Sequence, residues 1–215
     1  MWWQDSLLKA LESGGIFYSM KRLFLAITVL MFVSPVFAGP FGLSSGMTYN
    51  EVAEASVGNK IEKVYGEEDA YTITPKKSHS VFKTYIVRID DKYGLYYVKA
   101  KTDSIEVNNY GKELKEVFYD FEPRLEKSYG KPELFDDLID KNSLYRGEAY
   151  WTDALKEGAR ELYAKWKPAE NGAVLKDDII YVKLWVESNY SHGNMYLEYY
   201  FDNTDDVNSK EDEYL

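Results

Sequence analysis

The pattern of hydrophobic and polar positions predicts a central amphipathic helix in the stretch from Glu113 to Pro132. Apolar residues recur there at steps of three and four, which is the spacing of one helix face. These residues are Leu114, Val117, Phe118, Phe121, Leu125 and Tyr129. Gly130 follows, and a glycine with a proline just beyond is a usual end for a helix. We expect this helix to supply the apolar surface on which the strands of the chain pack.

Strict alternation of apolar and polar residues predicts two β-hairpins elsewhere in the chain. The first joins residues 82–89 to residues 95–101, and Gly94 in the connecting turn tolerates a positive φ. The second joins residues 179–187 to residues 195–201, and its first strand carries the strongest strand signal of the sequence. One face of this second hairpin is expected in the core: Ile180, Val182, Leu184, Leu197, Tyr199 and Phe201.

Shorter segments of the sequence also have helical patterns. Thr48 and Glu51 have the T-x-x-E spacing of a capping box, in which each side chain bonds the backbone N–H of the other residue. Residues 152–166 have apolar residues at helical spacing, and residues 133–146 indicate a helical turn followed by a loop. Together these elements predict an α+β fold, in which antiparallel β-hairpins pack against two or three amphipathic helices.

The sequence near the start of the chain has the pattern of a secretory signal peptide. In residues 20–38, a short basic start precedes 11 apolar or small residues and a small-residue cleavage site. That run is shorter than the ~20 residues that cross a bilayer as a helix. We therefore predict cleavage after Ala38, a periplasmic or extracellular location, and no stable membrane span after cleavage. A retained membrane anchor and a buried core helix are the alternatives.

The leader divides the rest of the chain into three parts. A signal peptide belongs at an N-terminus, so residues 1–19 are interpreted as a misassigned upstream extension, and a genuine amphipathic extension is the alternative. Residues 39–203 are predicted to form a single α+β domain, which is long enough to bury its own core. Residues 204–215 are acidic with few apolar side chains, so we predict a disordered tail there.

Charge and cysteine content exclude several classes of function. The chain has a formal net charge of −10 at pH 7, so its long-range field repels nucleic acid and anionic membrane surfaces. It contains no cysteine, which excludes disulfides, thiol catalysis, cysteine-ligated metals and a lipid-modified N-terminal cysteine. We expect no nucleic-acid partner and a fold that is stabilised by its core alone.

The sequence contains no motif of a known catalytic, cofactor-binding or metal-binding site. His79 and His192 lie in polar stretches without a second ligand at helical or strand spacing. Acidic pairs such as Asp136 and Asp137 are frequent, and in so acidic a chain they mark turns and solvated surface. We predict a protein without catalytic residues, metal or cofactor. A carboxylate-dependent hydrolase of envelope glycans, with two acids across a cleft, is the alternative.

The second hairpin offers a candidate binding face. If its apolar face is buried, the opposite face carries Tyr181, Trp185, Tyr196 and Tyr200 among charged side chains. Amphipathic aromatic residues among charges are typical of protein-binding surfaces and of platforms on which sugars stack. The alternative is that a helix, such as the segment 151–166, covers this face.

A short stretch near the start of the predicted domain resembles known exported modules. Residues 46–52, GMTYNEV, with Gly58 beyond them, resemble the G-M-T-x-x-E-V…G opening of the SmpA/OmlA lipoproteins and of β-lactamase-inhibitor-like repeats. The resemblance implies a small exported α+β module that acts by binding other proteins. The chain lacks the cysteine that anchors those lipoproteins to a membrane. After the leader, the chain is also similar to an uncharacterised family of small exported bacterial proteins, a likeness that implies no activity.

The sequence therefore predicts a non-enzymatic, exported protein that binds another protein of the cell envelope as an accessory or inhibitory factor. A polysaccharide-binding module is a further alternative, and it requires aromatic rings that lie flat in a row. The hydrolase alternative requires a cleft that holds two carboxylates of different pKa.

Overall fold

The computed structural model describes residues 39–189 and 191–212, and over these residues the chain folds around one antiparallel sheet of nine strands. The strands are β1 (Ser56–Lys63), β2 (Ala70–Pro75), β3 (Phe82–Asp90), β4 (Gly94–Thr102), β5 (Ile105–Glu106), β6 (Glu133–Leu138), β7 (Arg160–Trp166), β8 (Ile179–Asn189) and β9 (His192–Phe201). The helices are α1 (Tyr49–Ala55), α2 (Lys112–Tyr129), α3 (Trp151–Lys156), α4 (Pro168–Asn171) and α5 (Thr204–Asp212), with 3₁₀ turns at Pro40–Gly42 and Glu148–Tyr150. The predicted α+β fold with antiparallel hairpins is confirmed.

The strand order divides the sheet into two halves that meet at the last strand. Neighbouring strands follow the order β1-β2-β3-β4-β9-β8-β7-β6, and the short β5 also pairs with β9. Strands β1 to β4 thus form one antiparallel meander, and β6 to β9 form another. The pairing of β4 with β9 joins the two meanders. Both predicted hairpins, β3–β4 and β8–β9, are confirmed.

The predicted central helix is α2, which packs on one face of the sheet. Its buried apolar residues belong to one hydrophobic cluster with residues from both meanders: Leu114, Phe118, Phe121 and Leu125. Gly111 precedes the helix with a φ of +65°, and a Cβ on it would lie 2.0 Å from a ring carbon of Trp151. Gly130 ends the helix, as predicted, with a φ of +88°. We call the sheet face under α2 the core face.

The predicted capping box is present at the start of α1. The backbone N–H of Glu51 donates to Thr48 Oγ1 at 3.4 Å, and the N–H of Thr48 donates to Glu51 Oε2 at 2.8 Å. The helix buries Val52 in the core cluster and ends at Ala55, where β1 follows without a loop. The capping box thus fixes the start of a short helix that contributes Val52 to the core.

Two segments that the sequence predicts as helical form strands, the first in its second part only. Helix α3 ends at Lys156 rather than at Trp166, because Gly158 takes a left-handed φ of +66°. Beyond Gly158 the buried residues recur at steps of two, as on one face of a strand: Leu162, Ala164 and Trp166. Residues 133–138, predicted as a helical turn, form β6, which pairs with β7 along its whole length.

The core residues of the β8–β9 hairpin differ from the prediction at one position. The buried ones that were predicted are Val182, Leu184, Leu197, Tyr199 and Phe201. The pairing of β8 with β9 is irregular between Ile179 and Tyr181, and this bulge turns Ile179 into the core in place of Ile180.

Residues 204–212 form α5, where the sequence predicts a disordered tail. The hydroxyl of Thr204 donates to the carbonyl of Tyr96 on β4 at 3.0 Å, and Val207 is only 4 % exposed. These contacts attach the helix to the sheet. Val207 is one apolar residue among acidic ones. A single apolar residue is not a pattern from which the sequence can predict that this helix packs on the sheet.

The predicted signal peptide at 20–38 and the extension at 1–19 lie outside the described residues, as do residues 213–215. Across the part of the chain that the structure covers, no helix is long and apolar enough to cross a membrane. Export and leader cleavage stay predictions from the sequence.

Candidate functional site

The four aromatic residues of the candidate binding face lie together on one side of the sheet. In the pairing of β8 with β9, Tyr181 is opposite Tyr200 and Trp185 is opposite Tyr196. Side chains two residues apart on a strand point to the same face. Because the intervening Leu184 belongs to the core cluster, the four aromatic side chains point away from α2.

Three further aromatic residues extend this surface across neighbouring strands. Tyr97 of β4 is opposite Tyr200. On the other side, Tyr163 of β7 is opposite Trp185, and Phe135 of β6 is opposite Tyr163. We define the aromatic face by its seven rings: Tyr97, Phe135, Tyr163, Tyr181, Trp185, Tyr196 and Tyr200. The sequence interpretation missed the rings of β6 and β7 because it assigns helical structure there. The alternation after Gly158 is the signal that indicates Tyr163.

The segment 151–166, the alternative cover for this surface, does not lie over it. Trp151 of α3 is buried in the core cluster, and its indole N–H donates to Asp136 at 3.3 Å. Asp136 is opposite Leu162, a core residue, so this contact lies on the core face. The second part of the segment is β7, which is itself a strand of the sheet. Neither part packs on the aromatic face.

Four rings of the aromatic face are stacked in two pairs. The rings of Trp185 and Tyr196 are stacked, with centroids 4.4 Å apart and 16° between their planes. The rings of Phe135 and Tyr163 are stacked at 5.4 Å and 13°. Parallel rings on two adjacent strands stand upright on the sheet, so these four present their edges outward. The ring of Tyr200 is instead inclined to its neighbours, by 66° to Tyr97 and by 49° to Tyr181.

Lysine side chains pack over these rings. The ammonium of Lys99 lies 4.5 Å from the centroid of Tyr196 and 5.0 Å from that of Trp185. The ammonium of Lys183 lies 5.4 Å from the centroid of Tyr163 and 5.5 Å from that of Trp185. Each cation–π contact contributes about 0.5–1 kcal/mol at an exposed site. The lysines therefore help to fix the positions of the rings.

The acidic groups among the rings are bonded to their neighbours. Glu198 is 7 % exposed, and its Oε1 lies 3.2 Å from the ammonium of Lys99. The hydroxyl of Tyr196 donates to Glu187. Burial, and then this hydrogen bond, raises the pKa of Tyr196, and burial raises the pKa of Tyr200 to about 12. Both phenols stay protonated at physiological pH and act as hydrogen-bond donors.

Two hollows lie along the aromatic face. The first has a volume of about 370 Å³ and is bordered by Arg88, Tyr97 and Tyr200. The guanidinium of Arg88 forms an ion pair with the carboxylate of Glu67 at 2.8 Å, so its charge is balanced within the protein. The second, which we call the β7–β8 slot, has a volume of about 260 Å³ and is bordered by Trp185 among other residues. Both hollows are open to the surface that the rings form.

Asp136, one of the acidic residues considered for catalysis, has a structural environment. It accepts hydrogen bonds from the Tyr119 hydroxyl at 3.0 Å, the Trp151 indole at 3.3 Å and the Arg160 guanidinium at 2.9 Å. These donors come from α2, α3 and β7, so the carboxylate joins three elements on the core face. Because the carboxylate of Asp136 accepts these three hydrogen bonds, its role in the structure is to connect the three elements.

The two histidines lie in separate places. The ring of His79 packs edge-on against Phe121, with centroids 5.2 Å apart, and its Nδ1 accepts from the N–H of Val81 at 3.3 Å. His192 begins β9, where its Nδ1 lies 2.9 Å from the hydroxyl of Ser191. Among residues 39–189 and 191–212, no three His, Asp or Glu side chains are grouped as a metal site requires.

A comparison of the chain with profiles of known protein families, with curated proteins and with solved structures found no match. The likeness of residues 46–52 to exported binding modules therefore stays a resemblance of a short motif.

Proposed function

We propose that the protein is exported to the cell envelope and binds another protein there through the aromatic face, as an accessory or inhibitory factor. The observation that carries the proposal is the composition of this face, where seven aromatic rings alternate with lysines and glutamates over five neighbouring strands. Tyrosine and tryptophan dominate the energetics of protein interfaces, because each combines a large apolar area with a polar end.

The order of the face supports this proposal. Trp185 and Tyr196 stack on each other, and Lys99 lies over both rings. Tyr196 is also held by its bond to Glu187. Side chains that are already fixed lose less conformational entropy when a partner binds. The face is thus a preorganised surface.

The charge of the face also favours a protein partner. The aromatic face carries four lysines and five carboxylates: Lys99, Lys101, Lys165, Lys183, Glu133, Asp137, Glu161, Glu187 and Glu198. These charges nearly balance, whereas the whole chain has a formal net charge of −10. A nearly neutral patch on an acidic molecule repels other acidic proteins less than the rest of its surface does.

The polysaccharide-binding alternative has less support. A sugar ring stacks on the flat side of an aromatic ring. Here the flat sides of Trp185 and Tyr196 face each other, and Lys99 occupies the space over them. Rings that stand on edge do not form the flat row that a glycan platform requires.

The glycan-hydrolase alternative also has less support. Glu198 is engaged by Lys99, and Glu187 accepts from the Tyr196 hydroxyl. Both carboxylates are thus engaged by neighbouring side chains, whereas a hydrolase needs two acids that face a substrate across a cleft. The non-enzymatic interpretation is the one that we propose.

The proposal can be tested by photo-crosslinking in cells. A photoreactive amino acid replaces Tyr163 or Tyr181 in the full chain, since both rings lie on the aromatic face and are half-buried. Tyr65 is the matched control, because it is also a tyrosine and is fully exposed in the turn after β1. The mature N-terminus is determined by mass spectrometry in the same sample, which tests export and cleavage.

We expect the same discrete crosslinked protein from positions 163 and 181 and none from position 65. A glycan adduct in place of a protein would support the polysaccharide-binding alternative. If neither position gives an adduct in chains whose leader has been removed, the aromatic face is not a binding surface. If the leader is retained, the export part of the proposal is wrong.

A further inference from the structure

The β7–β8 slot forms where two neighbouring strands separate. Their pairing ends at Tyr163 opposite Trp185. Both strands continue beyond this point, β7 to Arg160 and β8 to Asn189, and each stays paired on its other side. The backbone groups that face the gap between them therefore have no strand partner in the described part of the chain. An extended segment in the gap would meet two strand edges.

Apolar side chains form part of the walls of the slot. Leu155, Leu162 and Val186 line it together with the rings of Tyr163 and Trp185. Its volume of about 260 Å³ lies near the lower limit of ligand pockets, which hold roughly 300–1,000 Å³. The slot therefore suits one large apolar side chain with its adjoining backbone better than a larger ligand.

Two hydrogen-bond donors in the walls of the slot have no acceptor. The indole Nε1 of Trp185 and the guanidinium Nε of Arg160 are both buried, and no acceptor in the structurally described residues reaches them. A buried N–H without a partner is unfavourable, and most such groups in proteins are paired. An acceptor that enters the slot would therefore gain a hydrogen bond that the free protein lacks.

The charges around the slot favour an uncharged acceptor. Three carboxylates line it, those of Glu161, Glu187 and Glu198, against the cations of Arg160 and Lys183. The guanidinium of Arg160 is already paired with a carboxylate on the core face at 2.9 Å. Glu198 is likewise paired with Lys99, which leaves Glu161 and Glu187 against Lys183. The remaining field is negative, so it repels an anionic ligand and favours a neutral carbonyl.

We propose that the slot receives an extended segment of the partner protein, with an apolar side chain against Leu155 and the ring of Tyr163 and a main-chain carbonyl that accepts from the indole of Trp185. The unpaired strand edges bind the backbone of such a segment in the manner of β-strand addition. This inference rests on the proposed function, since it names the part of the partner that the aromatic face recognises.

The chain contains no cysteine, so a single introduced cysteine permits disulfide tethering at the slot. Glu161→Cys places the thiol at the exposed rim, and Glu62→Cys on β1 is the matched control at another exposed strand position. The probes are acetyl-Cys-Val-Leu-Val-amide and the same peptide with Asp in place of Leu. Purified full chain is equilibrated with each peptide over a series of thiol reductant concentrations, and the conjugate is measured by mass spectrometry.

With Glu161→Cys, we expect the conjugate of the Leu peptide to persist at a reductant concentration at least ten times higher than the conjugate of the Asp peptide. With Glu62→Cys, we expect the two conjugates to be lost at the same concentration. Adding Trp185→Phe keeps an aromatic ring but removes the N–H, and we expect it to lower about fivefold the reductant concentration that the Leu conjugate withstands, the effect of one neutral hydrogen bond to the main-chain carbonyl. Arg160→Lys, which keeps the charge but removes Nε, is the second variant. In the conjugate, the indole N–H resonance of Trp185 should move downfield.

Equal retention at both cysteine positions, preference for the Asp peptide, or an unmoved indole resonance would each overturn the slot proposal. A crosslinked partner from position 181 together with any of these results would leave the aromatic face as the binding surface without the slot. Tethering as expected, with no crosslinked protein in cells, would instead contradict the proposed function and leave a peptide-binding slot.

Discussion

Glu122 is a buried charge on α2 that weakens the fold at neutral pH. Glu122 is only 7 % exposed. Burial is the main cause that raises the pKa of its carboxyl, and the negative charge of Glu126 raises it further. A carboxyl whose pKa is higher in the folded state is penalised there when it is ionised. We expect Glu122→Gln to raise the free energy of unfolding by about 1 kcal/mol at pH 7, measured by urea denaturation.

The sign of this effect can be checked by changing the pH. As the pH falls through the raised pKa of Glu122 toward the ordinary value of 4.5, the wild-type carboxyl takes up a proton in the folded state. The advantage of Glu122→Gln should then disappear. Glu116→Gln, at an exposed position on the same helix, is the control. A gain of equal size in both variants would show that burial is not the cause.

His79 should make the fold less stable in mildly acidic solution. Burial, followed by the positive charge of Arg124, lowers its pKa. The unfolded chain therefore binds a proton near the ordinary pKa of about 6.5, while the folded chain does not until a lower pH. Between these two values stability falls as the pH falls. We expect a lower urea midpoint at pH 5.5 than at pH 7.5, and a smaller difference in His79→Gln.

The control for this pH dependence is the other histidine. His192 is exposed at the start of β9, so His192→Gln keeps the packed ring of His79. The wild type and the His192→Gln variant should lose similar amounts of stability between the two pH values. Should His192→Gln remove the dependence and His79→Gln leave it intact, the assignment to His79 is wrong.

At the scale of elements, Asp136 fastens the edge strand β6 to its neighbours. Its carboxylate accepts from donors on α2, α3 and β7, and the side chain of Arg160 that it pairs with is 16 % exposed. Asp136→Ala leaves that cation half-buried without its partner. We expect a loss of about 3 kcal/mol in the free energy of unfolding.

The adjacent residue supplies the matched control. Asp137 points to the opposite face of β6, where it is exposed and pairs with Lys141. Exposed pairs contribute little to stability, so Asp137→Ala should leave the urea midpoint nearly unchanged. Similar losses in both variants would mean that the effect comes from the strand sequence rather than from the three bonds of Asp136.

The success of sequence interpretation differs between elements for a physical reason. The helix α2 and the capping box at Thr48 depend on contacts between residues three or four apart, which a local pattern records. The strands β6 and β7 depend on each other and on β8, so their pairing partners lie far along the chain. The two-residue period of β7 is given by Leu162, Ala164 and Trp166. A helical period also fits this stretch, through Leu155, Ala159, Leu162 and Tyr163. Only Gly158 separates these two patterns.

At the scale of the whole molecule, the same limit applies to the candidate site. The alternation within β8 and β9 predicts that Tyr181, Trp185, Tyr196 and Tyr200 share a face. It does not predict that β9 lies between β8 and β4, which brings Tyr97 onto that face. Strand order depends on which hydrophobic faces find each other in three dimensions, and the periodicity of one chain does not encode it. The aromatic face is therefore a property of the complete sheet.

The central position of β9 also couples the two halves of the molecule. Strands β1 to β4 come from the first half of the described chain, and they join the second half through the β4–β9 pairing. The three tryptophans of this part, Trp151, Trp166 and Trp185, all lie in the second half. Tryptophan fluorescence therefore reports on the second meander, and circular dichroism reports on both.

A cavity in the first meander should consequently lower the stability that tryptophan fluorescence reports. Val87 on β3 is fully buried, so we expect Val87→Ala to lower the free energy of unfolding by about 2 kcal/mol. The sheet and core cluster are continuous, so fluorescence and circular dichroism should give the same urea midpoint, shifted equally. Val57→Ala, on the 54 % exposed Val57 of β1, is the control and should shift neither. If Val87→Ala moves the circular dichroism transition and leaves the fluorescence transition in place, the two meanders unfold separately and the aromatic face can persist without β4.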